Sequence, residues 1–94
     1  MLKTQSTSKY SLYHYQACPF CAITRSVVSS LDVEVETRDI LIHSEHRTDL
    51  INGGGKPQVP CLKIEEHGTV RWLYESSDII QYFKQQAKQR KLSA

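Results

Sequence analysis

Three cysteines hold the thiol chemistry open to this chain, and two of them stand three residues apart in Cys18-Pro19-Phe20-Cys21. The third, Cys61, lies forty residues downstream. An odd count argues against a purely structural disulfide framework. In a reducing compartment, a close pair is more often redox-active or metal-binding than a staple. For redox work the spacing is apt: one thiolate attacks a disulfide sulfur, and the second opens the mixed disulfide that forms. For zinc it is poor, because a lone CxxC supplies two ligands and a closed site needs four. His14, His43, His46 and His67 are scattered without ligand spacing, so each reads as a surface or internally satisfied residue and no metal site is expected.

The elements around the pair sharpen this. Residues 11–15, Ser-Leu-Tyr-His-Tyr, read as a strand running directly into the motif. From Pro19 to about Ser30 the pattern turns helical, with Ala22, Ile23, Val27 and Leu31 able to share one face. Pro19 suits a first helical turn, where its missing N–H costs nothing. Cys18 then sits at a helix N-terminus, where unpaired N–H groups and the positive end of the dipole favour thiolate over thiol. Cys21 falls one turn later, partly beneath it. The asymmetry assigns the roles: Cys18 attacks and Cys21 resolves.

Further along, residues 33–40 alternate apolar with polar as a second strand, and Ser44 could cap a helix to about Asn52. Gly53-Gly54-Gly55 lacks the Gly-Lys-Ser/Thr ending of a phosphate loop and reads as a helix C-cap and flexible turn. Residues 59–64 and 70–74 form a hairpin about the turn Glu66-His67-Gly68-Thr69. A last helix runs from about Ser76 to Lys88, burying Ile79, Ile80, Tyr82 and Phe83. The order is β-α-β-α-β-β-α, with the first two strands parallel through a right-handed crossover. Alternation puts Cys61 on the opposite strand face from Pro60 and Leu62, as a buried or semi-exposed structural thiol.

At 94 residues, 39% hydrophobic and 23% charged, the chain is expected to be one domain with ordinary globular composition. Residues 1–9 read as a flexible leader and 10–90 as the domain. A net charge of +2 with dispersed basic residues argues against nucleic acid. No apolar run reaches the length of a membrane span and no signal peptide is legible, so a cytoplasmic location is expected; the chain is separately expected to act as a monomer.

Three separated features, spread over residues 10–86, make the chain resemble the glutaredoxin family. Cys18-Pro19-Phe20-Cys21 is similar to that family's dithiol motif Cys-Pro-Tyr-Cys. Gln58-Val59-Pro60 looks like its Thr-Val-Pro, whose proline is cis, with Gln for the common threonine. Tyr74-Glu75-Ser76-Ser77-Asp78-Ile79 opens the last helix, and its Glu-Ser pair matches glutathione transferases and some larger glutaredoxins. The resemblance implies a thioredoxin-like fold with a four-stranded mixed sheet and three helices. It also implies a glutathione site. Val59, before Pro60, would pair antiparallel with the cysteinyl part, and Phe20 and Gln58 would also belong to the binding set. Ser76 and Ser77 would take the γ-glutamyl carboxylate at a helix N-terminus, Glu75 the ammonium, and Arg47 the glycine carboxylate. Tyr15 departs from the pattern, because family members often carry a lysine there; this removes one cation from the glutathione site.

The activity implied is glutathione-dependent reduction of protein–glutathione mixed disulfides or small disulfides, catalysed by Cys18 and Cys21. Glutathione is then a co-substrate, no cofactor is bound permanently, and the partners are glutathionylated or disulfide-containing proteins. Two rivals belong to other classes. One is a glutathione-ligated [2Fe–2S] carrier, disfavoured by Pro19 and the second cysteine. The other is a non-catalytic glutathione-binding module related to transferase N-terminal domains, disfavoured because 94 residues leave no room for a transferase's helical second domain.

Overall fold

The computed structural model describes residues 8–93. Strand β1 (Lys9–His14) leads through a short loop into helix α1 (Pro19–Ser30), which returns the chain to β2 (Glu36–Asp39). Helix α2 (Ser44–Gly54) follows, then the hairpin β3 (Cys61–Glu66) and β4 (Thr69–Leu73), then helix α3 (Ser76–Ser93). The sheet order is β2-β1-β3-β4, with β1 and β2 parallel and the other pairs antiparallel. This is the thioredoxin-like arrangement expected from the sequence. Of the expected leader, residues 1–7 lie outside the described residues, and Lys9 already belongs to β1.

Strand alternation divides the interior in two. Leu12, Leu62 and Ile64 face α1 and α3, closing a core with Val28, Ile79 and Phe83. Tyr13 and Cys61, paired across β1 and β3, face the other way and meet Ile40 and Leu50 of the α2 side. Tyr10 adds edge-on ring contacts to Phe83 at 5.0 Å and Tyr82 at 6.0 Å. In α3, Ile79 and Phe83 are buried as expected, while Ile80 and Tyr82 are half-buried.

Four local expectations change. The buried face of α1 is Cys21, Thr24 and Val28; Ala22 and Ile23 point outward. Thr24 can be buried because its hydroxyl donates to the Phe20 carbonyl at 2.8 Å, so the face is turned by one residue from a purely apolar count. The second strand is shorter than its alternation: only Glu36–Asp39 pair with β1, and Val33 and Val35 pack against the core as irregular chain. His43 rather than Ser44 is the N-cap residue of α2, and its side chain makes no capping bond.

The fourth change concerns the glycines. Helix α2 continues through Gly53 and Gly54 and ends at Gly55, whose φ of 103° is left-handed. A Cβ on Gly53 would collide with the Trp72 indole, and one on Gly54 with the Tyr74 ring and hydroxyl. These two residues let a helix lie directly on β4 and the residue after it; they are contact surface, not a flexible turn. Between β3 and β4, His67 (φ 52°) and Gly68 (φ 78°) make a two-residue turn with both central φ values positive, which matches the twist of the hairpin.

Candidate active site at the α1 N-terminus

Cys18 is the N-cap residue of α1, in extended conformation (φ −76°, ψ 117°), and its carbonyl accepts from Ala22 N at 3.0 Å. Its Sγ accepts the Cys21 backbone N–H at 3.2 Å. That is the capping role usually filled by a serine or aspartate oxygen, and it aims one of the helix's free N–H groups at the sulfur. Cys18 is 5% exposed and Cys21 is fully buried, so the outer thiol of the pair is Cys18. Burial, and then the neighbouring Cys18, push the Cys21 thiol up to about 12. In the resting dithiol, Cys21 is therefore protonated at neutral pH.

A cleft of about 220 Å³ opens beside the motif, lined by Phe20, Gln58, Val59, Pro60, Glu75 and Ser76, with Tyr74 completing the wall. Six of the sequence-predicted site residues thus come together from three separate stretches of chain. Phe20 is 62% exposed on the first turn of α1. The Val59–Pro60 peptide is cis, and the β3 ladder starts only at Cys61, so Val59 lies outside it. Glu75 precedes α3 and its carbonyl accepts from Ile79 N at 3.0 Å, which leaves the first N–H groups of the helix, at Ser76 and Ser77, without helical acceptors. Ser77 and Arg47 are exposed and do not line the cleft, Arg47 standing on the first turn of α2. Tyr15, at the position noted for its missing cation, is half-buried against the α2-side core.

Tyr74 is the site residue that sequence reasoning passed over. Its hydroxyl donates to the Lys56 carbonyl at 2.8 Å and accepts from the Lys56 N–H at 3.3 Å, while the Lys56 ammonium lies 4.8 Å from its ring centroid. One side chain therefore clasps the segment leading to Pro60. The signal was its place beside Glu75, but the partner lies eighteen residues away and no spacing reveals it. Tyr74→Phe should lower stability by about 1 kcal/mol through these lost hydrogen bonds, read from the denaturant midpoint; an unchanged midpoint would mean the clasp contributes nothing.

Two further groups stand near the thiols. Cys61, as expected, is a fully buried thiol, pushed up to about 12 by burial, and so is unreactive at neutral pH. His14, the last residue of β1, is 3% exposed, and its Nδ1 accepts from Arg25 Nη1 at 2.9 Å. Burial and then the Arg25 charge hold His14 below the usual histidine range, with Asp39 opposing. The unfolded chain therefore takes up a proton near pH 6.5 that the folded one refuses. Stability is then full above that pH and falls as pH drops below it. We expect unfolding free energy to decline from pH 7 to 5 in wild type and to decline less in His14→Gln. Parallel curves would remove His14 from the account.

Among the described residues, no group of three or more His, Cys, Asp or Glu is placed to hold a metal ion, and no helix is long and apolar enough to cross a membrane.

Fold and site together define a thioredoxin-fold domain with a CxxC pair at the start of its first helix. Residues 12–91 match the family described as the glutathione S-transferase N-terminal domain, and the chain belongs to that family. No curated protein matches the sequence. Among solved structures, maleylacetoacetate isomerase from Anaeromyxobacter dehalogenans 2CP-1, with bound GSH, is similar over 89% of this chain and 40% of its own (20% identity, TM-score 0.69). A possible glutathione S-transferase from Rhodopseudomonas palustris is similar over 79% of this chain and 38% of its own (28% identity, TM-score 0.60). Glutaredoxin from Brucella melitensis is similar over 96% of this chain and 92% of its own (17% identity, TM-score 0.59). The chain thus spans about two fifths of the length of the isomerase.

Proposed function

We propose that the protein is a glutaredoxin-type oxidoreductase that reduces protein–glutathione mixed disulfides or small disulfides with glutathione. The observation that carries this reading is the meeting of Phe20, Val59-Pro60 and Glu75-Ser76 in one cleft beside a cysteine that caps a helix. Glutathione fits that cleft by its chemistry. Its cysteinyl backbone pairs with the unladdered Val59, in a one-residue strand addition beside Gln58. Its γ-glutamyl carboxylate meets the N–H groups of Ser76 and Ser77, and its ammonium meets Glu75. Arg47 takes the glycine carboxylate from the rim.

Cys18 Sγ attacks the glutathione sulfur of a mixed disulfide, releasing the protein thiol and leaving Cys18 joined to glutathione. A second glutathione, or Cys21, then opens that bond. Glutathione enters as co-substrate and no cofactor is held permanently. The working unit is residues 10–90, acting as a cytoplasmic monomer on glutathionylated or disulfide-bonded proteins.

The family match favours a second reading, in which the domain binds glutathione for a transferase- or isomerase-type reaction at carbon. The test is turnover of a glutathionylated substrate in glutathione, with glutathione reductase and NADPH reporting the disulfide formed. Sustained NADPH oxidation supports the proposal. No oxidation, together with conjugation of an electrophile by glutathione, would establish the second reading instead.

A further inference from the structure

Resting on this assignment of Cys21 as resolving thiol, one step lacks a named helper. A fully buried thiol must lose its proton before it can attack. Arg25 lies one turn beyond Cys21 on α1, the spacing at which helical side chains are neighbours. It is half-buried and lies along the sheet, lining a cleft with Leu12, Val28 and Val33. Its Nη1 donates to His14 Nδ1 at 2.9 Å, which fixes the His14 proton on Nε2 and holds the guanidinium at the end of β1. Among the described residues, no carboxylate stands within ion-pair distance of Arg25, so its charge is not already matched.

We propose that Arg25, held in place by His14, steadies the Cys21 thiolate when Cys21 opens the Cys18–glutathione bond. In that step the Cys21 proton is given up, the Cys21–Cys18 bond forms, and the Cys18–glutathione bond breaks. The cysteine pair is oxidised by two electrons, glutathione is released reduced, and the proton ends on its sulfur. Burial and then Cys18 raise the Cys21 thiol, while the Tyr15 backbone and, to a smaller extent, Arg25 lower it; of these groups Arg25 alone brings a full positive charge. Those acting on His14 are Arg25 from α1 and Asp39 from β2. Arg25 and His14 are positioning residues, since neither meets the substrate.

The test separates the two chemical steps. Reduced protein is mixed with glutathione disulfide, quenched with acid at intervals, and read by mass for the glutathione adduct and the internal disulfide. In Arg25→Gln the adduct should form at the wild-type rate and decay about tenfold more slowly at pH 7. The acid limb of the decay should move up by about one pH unit. Arg25→Lys should recover part of the rate; His14→Leu should behave as Arg25→Gln, and His14→Gln, which keeps an acceptor, should not. Unchanged decay, or equal slowing of adduct formation and decay, overturns the proposal. If wild type forms neither adduct nor internal disulfide, the glutathione reading fails on its own. Alkylation rate against pH, read by mass on the peptide carrying Cys21, still decides this point: Cys21 should titrate lower in Cys18→Ser than in Cys18→Ser with Arg25→Gln, and coincident curves overturn it.

Discussion

If the proposed function holds, Cys18→Ser should lose turnover of a glutathionylated substrate, by on the order of a thousandfold or more, whereas Cys21→Ser should keep the same order of activity as wild type. The difference follows from position rather than from residue type. Cys18 is the outer thiol, its sulfur accepts a helix N–H at 3.2 Å, and it stands two residues before Phe20 of the cleft wall. Serine keeps the capping bond but has no thiolate to offer at neutral pH, so the fold survives and the chemistry does not. Cys21 is buried, with its thiol pushed up to about 12, and cannot make the first attack. Its loss blocks only the internal route of resolution, and a second glutathione from solution supplies another. Reduction of a protein disulfide that needs both thiols should therefore fail in either variant. If Cys18→Ser remained active with a mixed disulfide, the assignment of the nucleophile would be wrong.

The largest structural effect is expected at a residue with no side chain. Gly53→Ala would gain about 1 kcal/mol in a free helix. Here the added methyl is driven into the Trp72 indole. That ring is held on its other sides by Tyr13, at 5.6 Å between centroids, and by the Lys63 ammonium at 5.5 Å. Overpacking of this kind costs about 1–3 kcal/mol, and the bond that must bend belongs to a stiff ring rather than a flexible chain end. The clash should exceed the propensity gain, for a net loss of about 1–2 kcal/mol and a fall in Tm of about 4–8 °C for each kcal/mol at this size. Thermal unfolding followed by far-UV circular dichroism checks it, and a raised Tm would show that α2 can lift from β4.

The comparison of sequence with structure follows the range over which each signal acts. The element order and the place of the thiols were legible because hydrophobic period, Pro19 and the turn residues are local. The cis Val59–Pro60 peptide and the grouping of Phe20, Val59 and Glu75 came from resemblance, since no spacing along the chain brings those stretches together. What stayed hidden was cross-element contact: the Gly53–Trp72 and Gly54–Tyr74 approaches, the Tyr74–Lys56 clasp and the His14–Arg25 pair. Each joins residues whose types suggest something ordinary, a flexible turn, a hairpin aromatic or a surface cation. The face of α1 was misjudged for a related reason, because Thr24 is buried by virtue of a hydrogen bond that an apolar count ignores.

Tyr74 also changes how the two ends of the cleft relate. Its backbone continues into Glu75 and Ser76, while its hydroxyl holds Lys56 four residues ahead of Pro60. The segment suited to a peptide backbone and the helix start suited to a carboxylate are thereby strapped into one unit. On the proposed glutathione reading, two half-sites on this common mount would act as a chelate, each raising the effective concentration of ligand at the other. A tripeptide that spans both then gains more than the sum of its fragments, and cutting the strap would spend that advantage without touching a single group that meets the ligand.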